Sequence, residues 1–211
     1  MFNRLVDRYE RLNHLLSLRI DEYWRRKTLR YLKPPVLDLC CGTGEVAALL
    51  HRFGRGPVIG VDFAERMLRQ ARRRRPYAWY LQADARALPL RDAAVPTVSC
   101  FFSLRNLSDL PAFFAEVYRV LQPGGRAVFL DMTLPPVPLQ PLYSRYLRWV
   151  LPRMAGLLGA SPEDYRYLAD SIHRLQPQRV GSLLKQAGFV EVAARSLVGG
   201  TAGLWVAKKP L

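Results

Sequence analysis

The chain has 211 residues, 50% of them hydrophobic and 23% charged, which suits one folded domain with a full core. Its three cysteines, two adjacent as Cys40-Cys41, exclude a disulfide framework, and without a Cys-x-x-Cys or His/Cys cluster no metal site is expected. The formal charge of +15, with arginine supplying all but five of the 32 Lys and Arg residues, fits nucleic acid, anionic headgroups or a solvated ion-paired surface equally.

Residues 2–17 carry Phe2, Leu5, Val6, Tyr9, Leu12 and Leu16 at the spacing of an amphipathic helix. A second helix holds Tyr23 and Trp24 and is stopped by Pro34-Pro35. An alternation of strands and helices follows. Strands are predicted at Val36–Cys40, Pro57–Asp62, Trp79–Ala83, Val95–Phe102 and Arg126–Met132, the last behind the turn Pro123-Gly124-Gly125. Helices are predicted up to Arg52, over Ala64–Arg74 and over Leu110–Leu121, with Arg72-Arg73-Arg74-Arg75 as the solvated end of the second. Such spacing implies an α/β, doubly wound, mostly parallel sheet with right-handed crossovers.

Residues 134–178 break the rhythm. A proline-rich connector leads into one helix with Leu139, Leu142, Tyr143, Tyr146, Leu147, Val150 and Leu151 along a stripe, then a helix over Pro162–Ile172. A helix at Arg179–Ala187 and strands near Val190–Leu197 and Gly203–Lys208 close the chain. The expected organisation is a single domain over residues 1–211, with residues 1–33 as an N-terminal helical cap and 134–178 as a helical insertion covering the substrate.

Gly42-Thr43-Gly44-Glu45-Val46-Ala47 follows a strand and opens a helix, the G-x-G-x-x-G/A pattern of a nucleotide-type cofactor. Asp62, twenty residues beyond Gly42, ends the next strand, where a carboxylate can accept from both ribose hydroxyls. A dinucleotide would set its pyrophosphate at the helix N-terminus, where Glu45 is a like charge. The carboxylates of Asp38 and Glu45 suit a sulfonium and an amino group instead. Asp84 with the amide of Ala85 is placed after the third strand to read an adenine edge. The glycine loop, the ribose acid, the acid after strand three and Leu121-Gln122-Pro123-Gly124-Gly125, in that order, resemble the class I S-adenosylmethionine-dependent methyltransferases.

A narrower resemblance runs over essentially the whole chain. Tyr9-Glu10-Arg11-Leu12-Asn13-His14-Leu15-Leu16-Ser17 with Trp24-Arg25-Arg26, Phe102-Ser103-Leu104-Arg105-Asn106-Leu107-Ser108-Asp109, and Leu151-Pro152-Arg153 continuing to Tyr165–Ile172 are similar to the menaquinone/ubiquinone biosynthesis C-methyltransferases (UbiE-type). The resemblance implies methyl transfer from S-adenosyl-L-methionine, leaving S-adenosyl-L-homocysteine, to a ring carbon of a prenylated quinol such as demethylmenaquinol. It implies a seven-stranded Rossmann-like sheet, cofactor contacts at Thr43, Asp62, Asp84 and Ala85, and catalytic Arg105, Asn106 and Tyr9. Read from the residues, the cofactor set also includes Asp38, Gly42 and Gly44. Phe101 stands where the family has serine, and Ser103 where it has glycine; Glu10, His14 and Arg19 depart as well.

Guanidinium stays protonated, so Arg105 is expected to stabilise a developing phenolate rather than act as a base, with water or Tyr9 relaying the proton. The plainer alternative makes Arg105-Asn106 a capped helix start. His14 and His173 are expected at the surface or in packing, and Cys41 as a small packing residue. The start Met1-Phe2-Asn3-Arg4 is not a signal peptide, and no apolar stretch is long enough to span a bilayer. The expected location is cytoplasmic, peripheral at the inner face of the membrane, because a prenylated substrate resides there and the helices 2–17 and 139–151 offer apolar stripes amid arginines. RNA, or another small molecule, is the alternative acceptor; Asp/Asn-Pro-Pro-Tyr and a Pro-Cys nucleophile are both missing from the sequence. A homodimer is left open.

Overall fold

The computed structural model describes residues 20–157 and 161–211. The expected helix over 2–17, with Tyr9 and His14, lies outside the described residues. Helix α1 (Ile20–Thr28) runs into a 3₁₀ turn at Leu29–Tyr31. Then come β1 (Val36–Leu39), α2 (Glu45–Arg52), β2 (Val58–Asp62), α3 (Glu65–Arg74), β3 (Trp79–Gln82), β4 (Val95–Phe101), α4 (Leu110–Val120) and β5 (Leu121–Met132). A helical insertion follows: α5 (Leu139–Arg145), a wide π-helical turn at Tyr146–Val150, α6 (Leu151–Leu157) and α7 (Pro162–Arg174). Helix α8 (Pro177–Gln186) and strands β6 (Val190–Leu197) and β7 (Ala202–Lys208) complete the chain.

The seven strands lie in the order β3-β2-β1-β4-β5-β7-β6. The first five pair in parallel and β7 inserts antiparallel between β5 and β6. The order reverses between β1 and β4, so their C-terminal ends open a crevice, where ligands of such sheets sit.

Strand alternation assigns the two faces. Leu37 and Leu39 of β1 join Phe113, Phe114 and Val117 of α4 and Val180 and Leu184 of α8 on one face. Val36 joins Trp24 of α1, Leu32, and Val46, Ala47 and Leu50 of α2 on the other. Asp38 therefore faces the same side as Trp24 and α2. The insertion has its own small core of Leu147, Leu151, Ala155, Tyr165, Ala169 and Ile172.

Three details differ from the expected elements. Strand β5 begins at Leu121, which pairs with Val95 ahead of a register shift, because Gly124 donates to the carbonyl of Lys209 (3.1 Å) and Lys209 to that of Gly125 (2.9 Å), drawing the Pro123-Gly124-Gly125 turn onto the sheet. The single helix expected over 139–151 widens at Tyr146–Val150. Pro152 has no N–H to give the carbonyl of Arg148, which releases the backbone there. The third difference concerns Arg75, which is buried.

Candidate active site

One cavity of about 690 Å³ opens at the C-terminal end of β1 and β4, between α1, the glycine loop and the insertion. Among the sequence-predicted residues, Asp38, Gly42, Thr43, Asp62, Arg105 and Asn106 line it; Gly44, Asp84 and Ala85 do not.

The loop after β1 turns through Cys40, Gly42 and Gly44, all at positive φ. At Gly44 φ is +88°, and an added Cβ would lie 2.7 Å from the Tyr80 hydroxyl, so only glycine is accommodated. At Gly42 φ is +55° and an added Cβ would meet nothing within 4 Å, leaving the loop's backbone bare toward the cavity. Asp62 accepts hydrogen bonds from the amides of Gly42 and Ala64, both at 2.8 Å. Those amides, with that of Phe63, fix its carboxylate at the crevice with acceptor capacity left for a hydroxyl donor. Burial raises the Asp62 carboxyl above its ordinary range, opposed by the Ala64 and Gly42 amides.

Arg75 clamps this loop from behind. Its Nη1 donates to the carbonyl of Thr43 at 2.6 Å, and its Nη2 forms an ion pair with Glu45. Glu45 lines the cavity wall with its charge engaged in this pair. Arg72-Arg73-Arg74 are exposed as expected, but the run's fourth member turns inward beyond the end of α3. No periodicity signals this, because the partners lie about thirty residues earlier.

Asp38 is fully buried and accepts from the Ser99 hydroxyl at 2.7 Å. Burial pushes its carboxyl up to about 7, with Ser99 and Arg25 opposing and Asp62 adding to the rise. The group thus sits near the boundary between neutral acid and carboxylate, ready to ionise when a cation arrives. Asp84 is exposed and engaged locally. It accepts from the Arg86 amide at 2.9 Å and pairs with Arg86 Nη2 at 2.7 Å.

Arg105 sits in the 3₁₀ turn Leu104–Asn106 after β4, with Ser103 at its start making no side-chain cap. Its guanidinium forms an ion pair with Asp131, which is wholly buried at the end of β5. It also donates to the carbonyl of Phe102 (2.8 Å) and to the Ser171 hydroxyl on α7 (3.2 Å), while its amide donates to Asp131 (3.1 Å). Asn106 Oδ1 accepts from the Tyr167 hydroxyl at 3.3 Å. The turn is thereby tied to both β5 and α7. Phe101 and Phe102 line the cavity, Phe102 at φ 61° with Trp24 packed 6.1 Å from its ring.

The insertion supplies residues that sequence reasoning did not assign to the site: Tyr143, Tyr146, Leu147, Tyr165, Tyr167 and Ser171. Burial pushes the Tyr143 hydroxyl up to about 12, with Tyr146 adding and Arg105 opposing, so it stays a donor. Burial also holds Cys41 well above the usual thiol range, consistent with a packing residue. His173 Nδ1 donates to the Ala169 carbonyl (2.8 Å) and its Nε2 pairs with the Ser144 hydroxyl (3.1 Å), a packing role.

The sequence model of the ubiE/COQ5 methyltransferase family matches residues 1–209. A demethylmenaquinone methyltransferase of Beutenbergia cavernae is 39% identical, covering 99% of this chain and 89% of that protein. A ubiquinone/menaquinone biosynthesis C-methyltransferase UbiE of Acidiphilium cryptum is 36% identical, covering 97% and 87%. A solved S-adenosylmethionine-dependent methyltransferase of Thermotoga maritima superposes with a TM-score of 0.71 at 21% identity, over 99% of this chain and 97% of that one, which speaks to the fold.

Proposed function

Given that the chain belongs to the ubiE/COQ5 methyltransferase family and is an S-adenosylmethionine-dependent methyltransferase, we propose that it methylates a ring carbon of a prenylated quinol such as demethylmenaquinol. The carrying observation is the continuity of one cavity. Asp38, Gly42 and Asp62 line it together with the insertion's Tyr143, Tyr146, Leu147, Leu151 and Tyr167. An aromatic, apolar chamber beside Arg105 and Asn106 suits a flat ring with a long apolar tail.

The residues present fit the cofactor. Gly42 leaves the loop's backbone bare, Asp62 offers lone pairs to ribose hydroxyls, and Asp38 meets a cationic amino acid end. Thr43, Asp62, Asp84 and Ala85 are the proposed family contacts, with Gly44 shaping the loop; Asp84 joins them only by leaving Arg86. When bound, S-adenosylmethionine supplies an electrophilic methyl group. Attack on it needs electron density at the ring carbon, which loss of the neighbouring hydroxyl's proton provides. Arg105 cannot take that proton. Its charge is balanced by Asp131, so the pair presents an oriented dipole and N–H groups rather than a free cation. Tyr143 and Asn106 stand beside it as neutral hydrogen-bonding groups, and the proton leaves to water or through Tyr9.

The substrate resides in a bilayer, and the insertion offers a surface for collecting it. Leu142, Trp149, Val150, Met154 and Leu157 are exposed there, interleaved with exposed Arg145, Arg148 and Arg153. That mixture complements an anionic leaflet. Among the described residues no helix is long and apolar enough to cross a membrane.

Incubation with demethylmenaquinol and S-adenosylmethionine tests the chemistry. The expected product carries its methyl on ring carbon by nuclear magnetic resonance; a methyl ether, or no methylated lipid, contradicts the reading.

A further inference from the structure

Two buried donors on α1 line the cavity with no acceptor among the described residues. Trp24 is 5% exposed, and its indole Nε1 has no hydrogen-bond partner. Next to it, Arg25 donates from Nη1 to Asp21 at 2.5 Å and lies 4.7 Å over the Phe102 ring, while its Nε is buried and unpartnered. Both residues line the same cavity as Asp38 and Gly42. Buried N–H groups almost always find partners, because leaving one without forfeits its hydration for nothing. Two such donors on consecutive residues, both in a ligand cavity, mark a place where an acceptor arrives with the ligand.

The charge pattern says what kind of acceptor. Asp38 and Trp24 lie on the same face of the sheet, and the Arg25 charge is near enough to favour ionised Asp38. Guanidinium and indole N–H groups suit a carboxylate, whereas a buried aspartate suits an ammonium group. One cavity thus offers complementary groups to both ends of an amino acid zwitterion. Asp21, holding the far side of the guanidinium, fixes the orientation of its remaining edge.

We propose that Trp24 Nε1 and Arg25 Nε receive the carboxylate of the cofactor's amino acid moiety, while Asp38 receives its ammonium group. The assignment rests on the S-adenosylmethionine reading of this cavity and adds α1 to the cofactor site. It also gives the Trp24-Arg25 pair a purpose that packing alone does not.

The test compares two ligands that share adenosine and thioether but differ in the amino acid: S-adenosylhomocysteine and 5′-methylthioadenosine. Calorimetric titration is run on the unmodified chain, Trp24→Phe, which keeps the ring, and Arg25→Met, which keeps the stem. Each substitution is expected to weaken S-adenosylhomocysteine by about tenfold or more, the worth of a hydrogen bond to a charged group, and to change 5′-methylthioadenosine by less than about twofold. Unchanged S-adenosylhomocysteine affinity in both variants overturns the proposal. So does an equal loss for both ligands, which reports general damage to the cavity. Failure of the unmodified chain to bind either ligand overturns the cofactor reading itself and the proposal with it.

Discussion

At the residue scale, two buried acids carry the most testable chemistry. Asp38 has a folded-state value of about 7 against an ordinary 3.8, with burial as the main cause. The neutral form is therefore favoured in the fold. The stability this group contributes is fully present below about pH 4 and is lost as pH rises through about 7. A cationic ligand reverses the preference, so S-adenosylhomocysteine affinity should rise between pH 6 and 8. Asp38→Asn is expected to raise the melting temperature at pH 8 relative to the unmodified chain while flattening and weakening ligand binding. A pH-independent affinity in the unmodified chain would contradict this account. The second acid, Asp131, is ion-paired with Arg105 inside the protein. Removing one member of a buried pair strands the other, at a cost of about 3–5 kcal/mol. Asp131→Ala should therefore lower the denaturation midpoint strongly. Arg105→Leu combined with Asp131→Leu should recover part of that stability without recovering methyl transfer. Recovery of activity in the double variant would remove Arg105 from the chemistry.

The same residues show what was readable. Asp62 and Gly42 could be placed because the strand-loop-helix unit fixes their spacing, and a hydrogen bond of 2.8 Å joins them. Asp131 escaped notice because it reads as one more residue in a buried strand, and its partner stands 26 positions earlier. Asp84 was legible as an acid after β3, but its engagement with Arg86 depends on a local turn that the motif does not encode.

At the element scale, the glycine loop and the insertion form the two halves of the site. The loop depends on Arg75, whose guanidinium reaches the Thr43 carbonyl and Glu45. Arg75→Ala is expected to cost about 3 kcal/mol, because it takes the guanidinium away from a half-buried acid and a buried carbonyl. It should also weaken S-adenosylhomocysteine several-fold, whereas exposed Arg73→Ala should do neither. Chemical denaturation and calorimetry on the two variants check this; equal behaviour would return Arg75 to the surface role that the four-arginine run suggests. Strands β1, β2 and β4 were legible because parallel strands buried on both faces appear as short apolar runs. The insertion was legible as helix and, through the family resemblance, as a cover for the substrate, but not in its internal shape. Its wide turn at Tyr146–Val150 depends on Pro152 acting at a distance of one helical turn, and its tyrosines looked like an ordinary amphipathic stripe.

At the scale of the whole molecule, three of the arginines behind the charge of +15 are exposed on the insertion. Composition alone left nucleic acid, membrane and plain solvation open. The insertion carries Arg145, Arg148 and Arg153 among exposed Trp149 and Leu157. Binding to vesicles containing anionic lipid should exceed binding to neutral vesicles and fall with added salt. Trp149→Ser with Leu157→Ser should reduce it by about tenfold. Sedimentation with vesicles reads the result, and equal binding to both vesicle types would contradict the surface assigned here.

The acceptor is the central claim, and one labelling experiment addresses it most directly. The chain is supplied with S-adenosylmethionine carrying a labelled methyl group, together with demethylmenaquinol in vesicles and bulk RNA in the same reaction. The account predicts label in the extracted quinol and none in the RNA. Label in the RNA, with the quinol unlabelled, would contradict it.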